Sequence, residues 1–202
     1  MVQPEGAFWA GVEYAGRFFM GDADVHRALV KLVGILDDAA IPYAIVGAMA
    51  LNEYGYRRAT VDVDVLLTAA GLAALKARVL GLGYVEKFPG SKGLRDTEHG
   101  VTIDVLVAGD YPGDGKPKAV RFPDPGVVAV RRAHGAFLPL ERLVELKLAS
   151  GTSAPHRLKD LADVLELIRA IGAPRALGDQ LDPSVRDKYL ELWDAAQAAP
   201  DE

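Results

Sequence analysis

Apolar and polar residues alternate along this chain with two different periods, and the period separates helices from strands. Residues 23–39 carry apolar side chains three and four positions apart, which predicts an amphipathic helix that Pro42 ends. The apolar run 43–46 predicts a short buried strand, and Gly47 separates it from a predicted short helix over 48–55. The first elements are therefore a helix, a strand and a helix.

A strict period of two marks residues 60–68, and their β-branched side chains predict a strand. A helix is predicted over 71–83. The pattern then changes to strands at 84–88, near Leu94 and at 100–109, with a glycine-containing turn after the first of them. We expect these strands to pair antiparallel at one side of a sheet.

Glycine, proline and charged residues concentrate in residues 110–119, which predicts a surface loop, and short strands are predicted at 119–122 and 127–131. After Pro139 the apolar spacing is helical, and it predicts three helices, at 140–151, 156–172 and 183–197. We expect an α/β (α+β) fold in three parts: an N-terminal extension (1–22), a mixed-sheet domain (23–138) and a C-terminal helical region (139–202).

Composition narrows the classes of function. Half of the 202 residues are apolar, enough for a core of ordinary size, and the net charge of -5 argues against coating nucleic acid by charge alone. The chain has no cysteine, which excludes disulfides, zinc–thiolate sites and thiol nucleophiles. No apolar run reaches the roughly 18 residues that span a bilayer, and the acidic N-terminal segment differs from a signal peptide. We expect a cytoplasmic protein without a membrane partner.

Two aspartates interrupt the apolar strand ATVDVDVLLT. Because side chains alternate across a strand, Asp62 and Asp64 share one face with Thr60, and the valines between them form the opposite face, which we expect to be buried. Two carboxylates this close repel each other, and one tends to stay protonated unless a cation lies between them. A divalent ion resolves that conflict, although an ordinary solvent-exposed strand face would also carry such residues.

A third carboxylate, Asp104, is the only acid in the apolar run GVTIDVLVAG. If this strand lies beside the first, Asp104 completes a three-carboxylate cluster. Hard oxygen ligands of this kind suit Mg²⁺ or Mn²⁺, which commonly hold a nucleoside triphosphate and activate an incoming oxygen. His99, His134 and His156 show no partner pattern that indicates a metal site or a catalytic triad.

The segment VGAMALNEYGYRRATVDVDVLL resembles the signature of the nucleotidyltransferase superfamily that includes DNA polymerase β. That signature is a strand ending in Gly-Gly or Gly-Ser, a short helix, and then G-x-x-R-x-T-x-D-x-D. The matching residues are Gly47, Gly55, Arg58, Thr60, Asp62 and Asp64, with Asp104 at the place of the third acid. Residues 140–168 resemble the helical half of the minimal and AbiE-type toxin branch, so that the resemblance covers about residues 23 to 172.

The resemblance implies a polymerase-β-like mixed sheet and metal-dependent transfer of a nucleoside monophosphate from an NTP to a hydroxyl. Asp62 and Asp64 would bind Mg²⁺ or Mn²⁺, and Asp104 would bind a second ion or act as base on the acceptor hydroxyl. Gly47 would let backbone N–H groups approach the triphosphate, or it forms an ordinary tight turn. Ala48 departs from the second Gly or Ser of the signature, which puts phosphate binding in doubt.

Four further residues are candidates for nucleotide binding through the same resemblance. Arg58 would reach phosphate or brace the carboxylates, and Thr60 is either part of the site or a β-former beside it. Lys147 would contact the nucleotide or extend past the core to solvent, and Asp160 would orient Lys147 or a metal-bound water. Lys159 and Asp163 are four residues apart, a spacing that also suits a surface ion pair.

The acceptor is left open by the sequence. A tRNA end would call for a basic groove, with candidates at Arg57, Arg58, Arg131, Arg132, Arg157 and Lys159. An aminoglycoside-type acceptor would call for an acidic pocket, and a protein hydroxyl is a third alternative. A catalytically weak or inactive protein of this fold, acting as a binding partner in a toxin–antitoxin pair, is the alternative to an enzyme.

Overall fold

The computed structural model describes residues 5–21 and 23–198. The strands are β1 (Tyr43–Ile45), β2 (Asp62–Leu67), β3 (Tyr84–Glu86), β4 (Leu94–Asp96), β5 (Thr102–Val107), β6 (Val130–Arg132) and β7 (Gly135–Phe137). The helices are α1 (Glu5–Phe19), α2 (Asp24–Asp38), α3 (Gly47–Glu53), α4 (Ala69–Val79), α5 (Pro125–Val128), α6 (Leu140–Ser153), α7 (Leu158–Ile171) and α8 (Pro183–Gln197). Two 3₁₀ turns, Pro155–Arg157 and Arg175–Gln180, flank α7.

The strands of the described residues form one mixed sheet in the order β3-β4-β5-β2-β1-β7-β6. Strands β2 and β5 run parallel at its centre, as do β1 and β7, while β1 and β2 are antiparallel. The three strands β3, β4 and β5 pair antiparallel at one side, as the alternating pattern predicted. One continuous core of buried residues extends from Phe18 in α1 to Tyr189 in α8.

Most predicted elements are confirmed. The amphipathic pattern of α2 buries Leu32 and Leu36, and α8 has the predicted bounds. Helices α6, α7 and α8 form the predicted C-terminal helical region, and the mixed α/β fold is confirmed. Whether residues 1–22, 23–138 and 139–202 behave as separate units stays a prediction.

The predictions between β5 and α6 were partly wrong. Residues 119–122 form no strand, although Phe122 accepts a backbone hydrogen bond from Gly109 at 2.8 Å and donates one to Asp110 at 2.9 Å, in the turn after β5. The predicted strand 127–131 is instead the short helix α5 followed by β6. Helix α5 forms because the Asp124 side chain caps the N–H of Gly126 and Pro125 is preset for a first helical turn.

Two further expectations need correction. The valine face of the central strand was expected to be buried throughout, but Val61 is 68% exposed because β2 begins only at Asp62. Helix α1 lies in the N-terminal extension, where no helix was predicted. No helix in residues 5–21 or 23–198 combines the length and hydropathy needed to cross a membrane.

Candidate active site

Three aspartates meet on the two central parallel strands. In the register of β2 and β5, Asp64 lies opposite Asp104 and Asp62 lies opposite Thr102. Because alternate residues of a strand share a face, the three carboxylates project from the same face of the sheet. The expectation that the strand of Asp104 lies beside that of Asp62 and Asp64 is therefore confirmed.

The ionised form of Asp64 is disfavoured in this cluster. The pKa of the Asp64 carboxyl is raised to about 6, mainly by burial and then by the neighbouring carboxylates of Asp62 and Asp104, against the opposing effect of Lys147 and Arg157. Placing negative charge at this position is therefore unfavourable in the protein alone, and a bound cation would relieve it.

Gly47 makes room for the Asp64 carboxylate. It follows β1 with φ of 60°, a left-handed conformation that favours glycine. A Cβ at this position would lie 1.8 Å from Asp64 Oδ2, which no side chain allows. Ala48 follows it and is buried, so its methyl group packs inward while the first-turn N–H groups of α3 lack helical acceptors.

The residues before β2 are held by two hydrogen bonds near the carboxylates. The Thr60 hydroxyl donates to Asp62 Oδ1 through a short bond, and the Tyr14 hydroxyl of α1 donates to the Thr60 carbonyl through another. Burial raises the pKa of Tyr14, and the charges of Asp24 and Asp62 add to that effect. The sequence analysis did not predict Tyr14 as a site residue, because 46 residues separate it from its partner Thr60.

Asn52 of α3 fixes the loop that carries Arg58. Its side-chain amide donates to the carbonyls of Ala48 and Arg58, at 2.8 and 2.6 Å, and its Oδ1 accepts from the Arg58 N–H at 3.2 Å. Arg58 Nη1 then reaches across to Asp163 Oδ2 at 2.7 Å. Asn52 was also not predicted as a site residue; it follows the apolar start of α3 and is succeeded by Glu53.

A network of ion pairs joins α6 and α7 beside the carboxylates. Lys147 Nζ lies 3.1 Å from Asp160 Oδ1 and 2.7 Å from Asp163 Oδ2. Lys147 and Asp163 are buried, at 8% and 3% exposure, so Lys147 does not extend past the core to solvent. The surface ion pair that the spacing of Lys159 and Asp163 allowed does not form, since Asp163 instead binds Lys147 and Arg58.

Asp160 is held ionised by this network. Burial alone would raise its pKa, but the charge of Lys147, the hydrogen bond from the Ser150 hydroxyl and the charge of Arg157 outweigh it and lower the pKa. Ser150 Oγ donates to Asp160 Oδ2 at 2.7 Å, and Arg157 Nε donates to the same oxygen at 3.0 Å. The sequence analysis named the orientation of Lys147 as one of two roles for Asp160, and the contact between these residues is consistent with that role.

These elements enclose a cleft of about 320 Å³. All predicted site residues line it: Gly47, Ala48, Arg58, Thr60, Asp62, Asp64, Asp104, Lys147 and Asp160. Arg157, Lys159 and His156 line it too, so that three of the six predicted basic residues, Arg58, Arg157 and Lys159, lie at this cleft and the other three do not. Arg131 instead pairs with Asp37 at 2.6 Å, and Arg132 and Arg57 stack on Tyr54 and Phe19.

The carboxylates are not arranged as a preformed metal site. Within residues 5–21 and 23–198, no three His, Asp or Glu side chains lie close enough together to hold an ion. Two of the three aspartates are turned toward protein partners, because Asp62 accepts from Thr60 and Asp104 accepts from Lys87 at 2.8 Å. The donor chemistry nevertheless suits Mg²⁺ or Mn²⁺, and side-chain rotation is what binding would require.

Comparison with known proteins adds distant likenesses. No protein-family model matches this chain, and no curated protein matches it. The crystal structure of ANT(2'')-Ia in complex with adenylyl-2''-tobramycin is 13% identical, covers 83% of this chain and 95% of that chain, and has a TM-score of 0.49. The solution structure of the antibiotic-resistance factor ANT(2'')-Ia is 15% identical, with coverages of 83% and 90% and a TM-score of 0.47.

A Helicobacter pylori protein assigned to the nucleotidyltransferases is 17% identical, covers 85% of this chain and 92% of that chain, and has a TM-score of 0.47. At these identities, and with every TM-score below 0.5, the likenesses carry no argument about what this chain does. Its function is therefore inferred from its own residues.

Proposed function

We propose that this protein is a metal-dependent nucleotidyltransferase that moves a nucleoside monophosphate from an NTP to a hydroxyl acceptor and releases pyrophosphate. The observation that carries the proposal is the register of β2 and β5, which sets Asp64 beside Asp104 and leaves Asp62 on the same face. The sequence around these strands resembles the nucleotidyltransferase signature, and all of the residues that match it except Gly55 line one cleft.

Asp62, Asp64 and Asp104 would hold Mg²⁺ or Mn²⁺. The raised pKa of Asp64 supports this assignment, since the charges of Asp62 and Asp104 add to the effect of burial. When bound, the ions would supply charge neutralisation for the triphosphate and for the attacking oxygen. Asp104, whose side chain is 40% exposed, would accept the proton of an incoming hydroxyl.

The triphosphate would lie between the carboxylates and the helical wall. Lys147 and Arg58 face the cleft from α6 and from the loop before β2, and Asp163 holds both in position at 2.7 Å. Preorganised cations of this kind stabilise charge at the transition state without reorganising. Backbone N–H groups after Gly47 would add hydrogen bonds, which Ala48 can supply without a hydroxyl.

The charges of the cleft favour an anionic acceptor. Apart from the three aspartates, the acids lining the cleft are Asp160 and Asp163, and both are already paired with cations. A polycationic aminoglycoside would need carboxylates beyond those that bind metal, whereas Arg157 and Lys159 at the rim suit phosphate. An RNA end, such as that of tRNA, is therefore the acceptor we propose first, with a protein hydroxyl as the alternative.

The resemblance of residues 140–168 to the AbiE-type branch supports a role as the toxin of a toxin–antitoxin pair in the cytoplasm, with an antitoxin as partner. The competing proposal is a catalytically inactive binding protein of the same fold. Ala48 is the residue that favours it, because the usual second glycine or serine of the phosphate loop is missing.

Labelled NTPs incubated with this protein and with separate pools of RNA, protein and small molecules would test the proposal. We expect label in RNA with Mg²⁺ or Mn²⁺, and no label with Asp64→Asn. Isothermal titration of NTP and Mg²⁺ into wild type and into the Asp62→Asn/Asp64→Asn variant tests the metal site separately. Equal affinity in both proteins would refute that site, and a folded protein that labels nothing with any of the four NTPs would favour the binding protein.

A further inference from the structure

The third carboxylate of the cluster, Asp104, forms an ion pair with a lysine. Lys87 Nζ donates to Asp104 Oδ1 at 2.8 Å, and the two side chains are 37% and 40% exposed. Lys87 lies in the segment between β3 and β4, on the side of β5 that faces away from β2. Asp104 therefore has Asp64 on one side and an ammonium group on the other.

The backbone at Gly93 helps to position Lys87 beside Asp104. The Lys87 N–H donates to the Gly93 carbonyl at 3.2 Å, which closes the connecting segment. A Cβ at Gly93 would lie 2.6 Å from Lys87 Cδ, so the absence of a side chain at Gly93 leaves the space through which the lysine stem passes. The ion pair thus depends on the backbone as well as on the two charges.

An ion binding to Asp62 and Asp64 competes with this lysine for Asp104. Lys87 already occupies Asp104 Oδ1, and the nearby ammonium charge repels the arriving cation. We propose that Lys87 is the resident counter-ion of the cluster and that a divalent ion displaces it on binding. This inference rests on the proposed function, because it assigns Lys87 the control of metal affinity at that site.

Titration of Mn²⁺, followed by calorimetry and by the electron paramagnetic resonance signal of the free ion, tests this without any activity assay. We expect Lys87→Met to bind Mn²⁺ about 2- to 5-fold more tightly than wild type, the range that corresponds to a partly exposed ion pair. Lys92→Met is the matched control. Lys92 belongs to the same segment and pairs with another aspartate, Asp110, at 2.5 Å.

Each outcome bears on the inference. It is supported if Lys87→Met alone tightens binding and if the gain disappears in the Asp104→Asn background. Equal Mn²⁺ affinity in wild type and Lys87→Met overturns it while the metal site stands, and an equal gain in Lys92→Met overturns it by showing a general effect of net charge. If no variant binds Mn²⁺, the metal site of the proposed function fails, and the inference fails with it.

Discussion

Replacing Asp64 by asparagine should make the protein more stable while removing a proposed catalytic residue. The folded protein holds the Asp64 carboxyl at a pKa of about 6, above its ordinary value of 3.8, because of burial and then of Asp62 and Asp104. The folded state therefore binds this proton more tightly than the unfolded state does. Stability falls as the pH rises from about 4 through about 6, and it levels off above that range.

The size of the effect follows from the two values. Each pH unit between them corresponds to about 1.4 kcal/mol, so the ionised carboxylate costs the folded state about 3 kcal/mol above pH 6. Asparagine has nearly the same shape and no charge. We expect Asp64→Asn to raise the free energy of unfolding by up to that amount at pH 8 and by little at pH 4.

Urea denaturation of both proteins between pH 4 and pH 8, with a chelator present, measures this difference. The control is Asp110→Asn, which removes a carboxylate from the exposed pair with Lys92 and should change stability by less than about 0.5 kcal/mol. Added Mg²⁺ should stabilise wild type and not Asp64→Asn, because ligands stabilise only the state that binds them. An Asp64→Asn variant that is no more stable than wild type at pH 8 would refute the electrostatic account.

Three further substitutions test the elements around the cluster. Gly47→Ala should lower the free energy of unfolding by at least about 2 kcal/mol more than the control Gly81→Ala, as measured by urea denaturation. Both glycines have positive φ, but of the two only Gly47 has a neighbouring atom that an added Cβ would meet. Equal losses of stability in the two variants would contradict the close packing at Gly47. Lys147→Met should lower the free energy of unfolding by about 3 kcal/mol, because it leaves buried carboxylates without their cation. The control Lys159→Met, at an exposed position, should change it little. Similar losses of stability in both variants would show that the buried ion pairs do not stabilise the fold. Asn52→Ala should lower the free energy of unfolding by about 2 kcal/mol, because three hydrogen bonds are lost. It should also raise the KM for NTP, because the loop before β2 becomes less ordered. Unchanged kinetics would argue against a role for that loop.

The sequence by itself determined the local geometry of the site. A period of two places Asp62 and Asp64 on one face of a strand whatever the strand pairs with, and this is why their shared face could be predicted. The pattern also predicted α2, α6, α7 and α8, because an amphipathic helix repeats its buried stripe every three to four residues. Glycine after a buried strand predicted the turn at Gly47.

Only the tertiary structure decided which distant residues meet. The pairing of β2 with β5 brings Asp104 to Asp64, and nothing local in either strand specifies that register. Tyr14 and Thr60, Arg58 and Asp163, and Lys87 and Asp104 are separated by 46, 105 and 17 residues, so their contacts depend on how the elements pack. The exposure of Val61 has the same origin, since where β2 starts depends on its neighbours rather than on its own period.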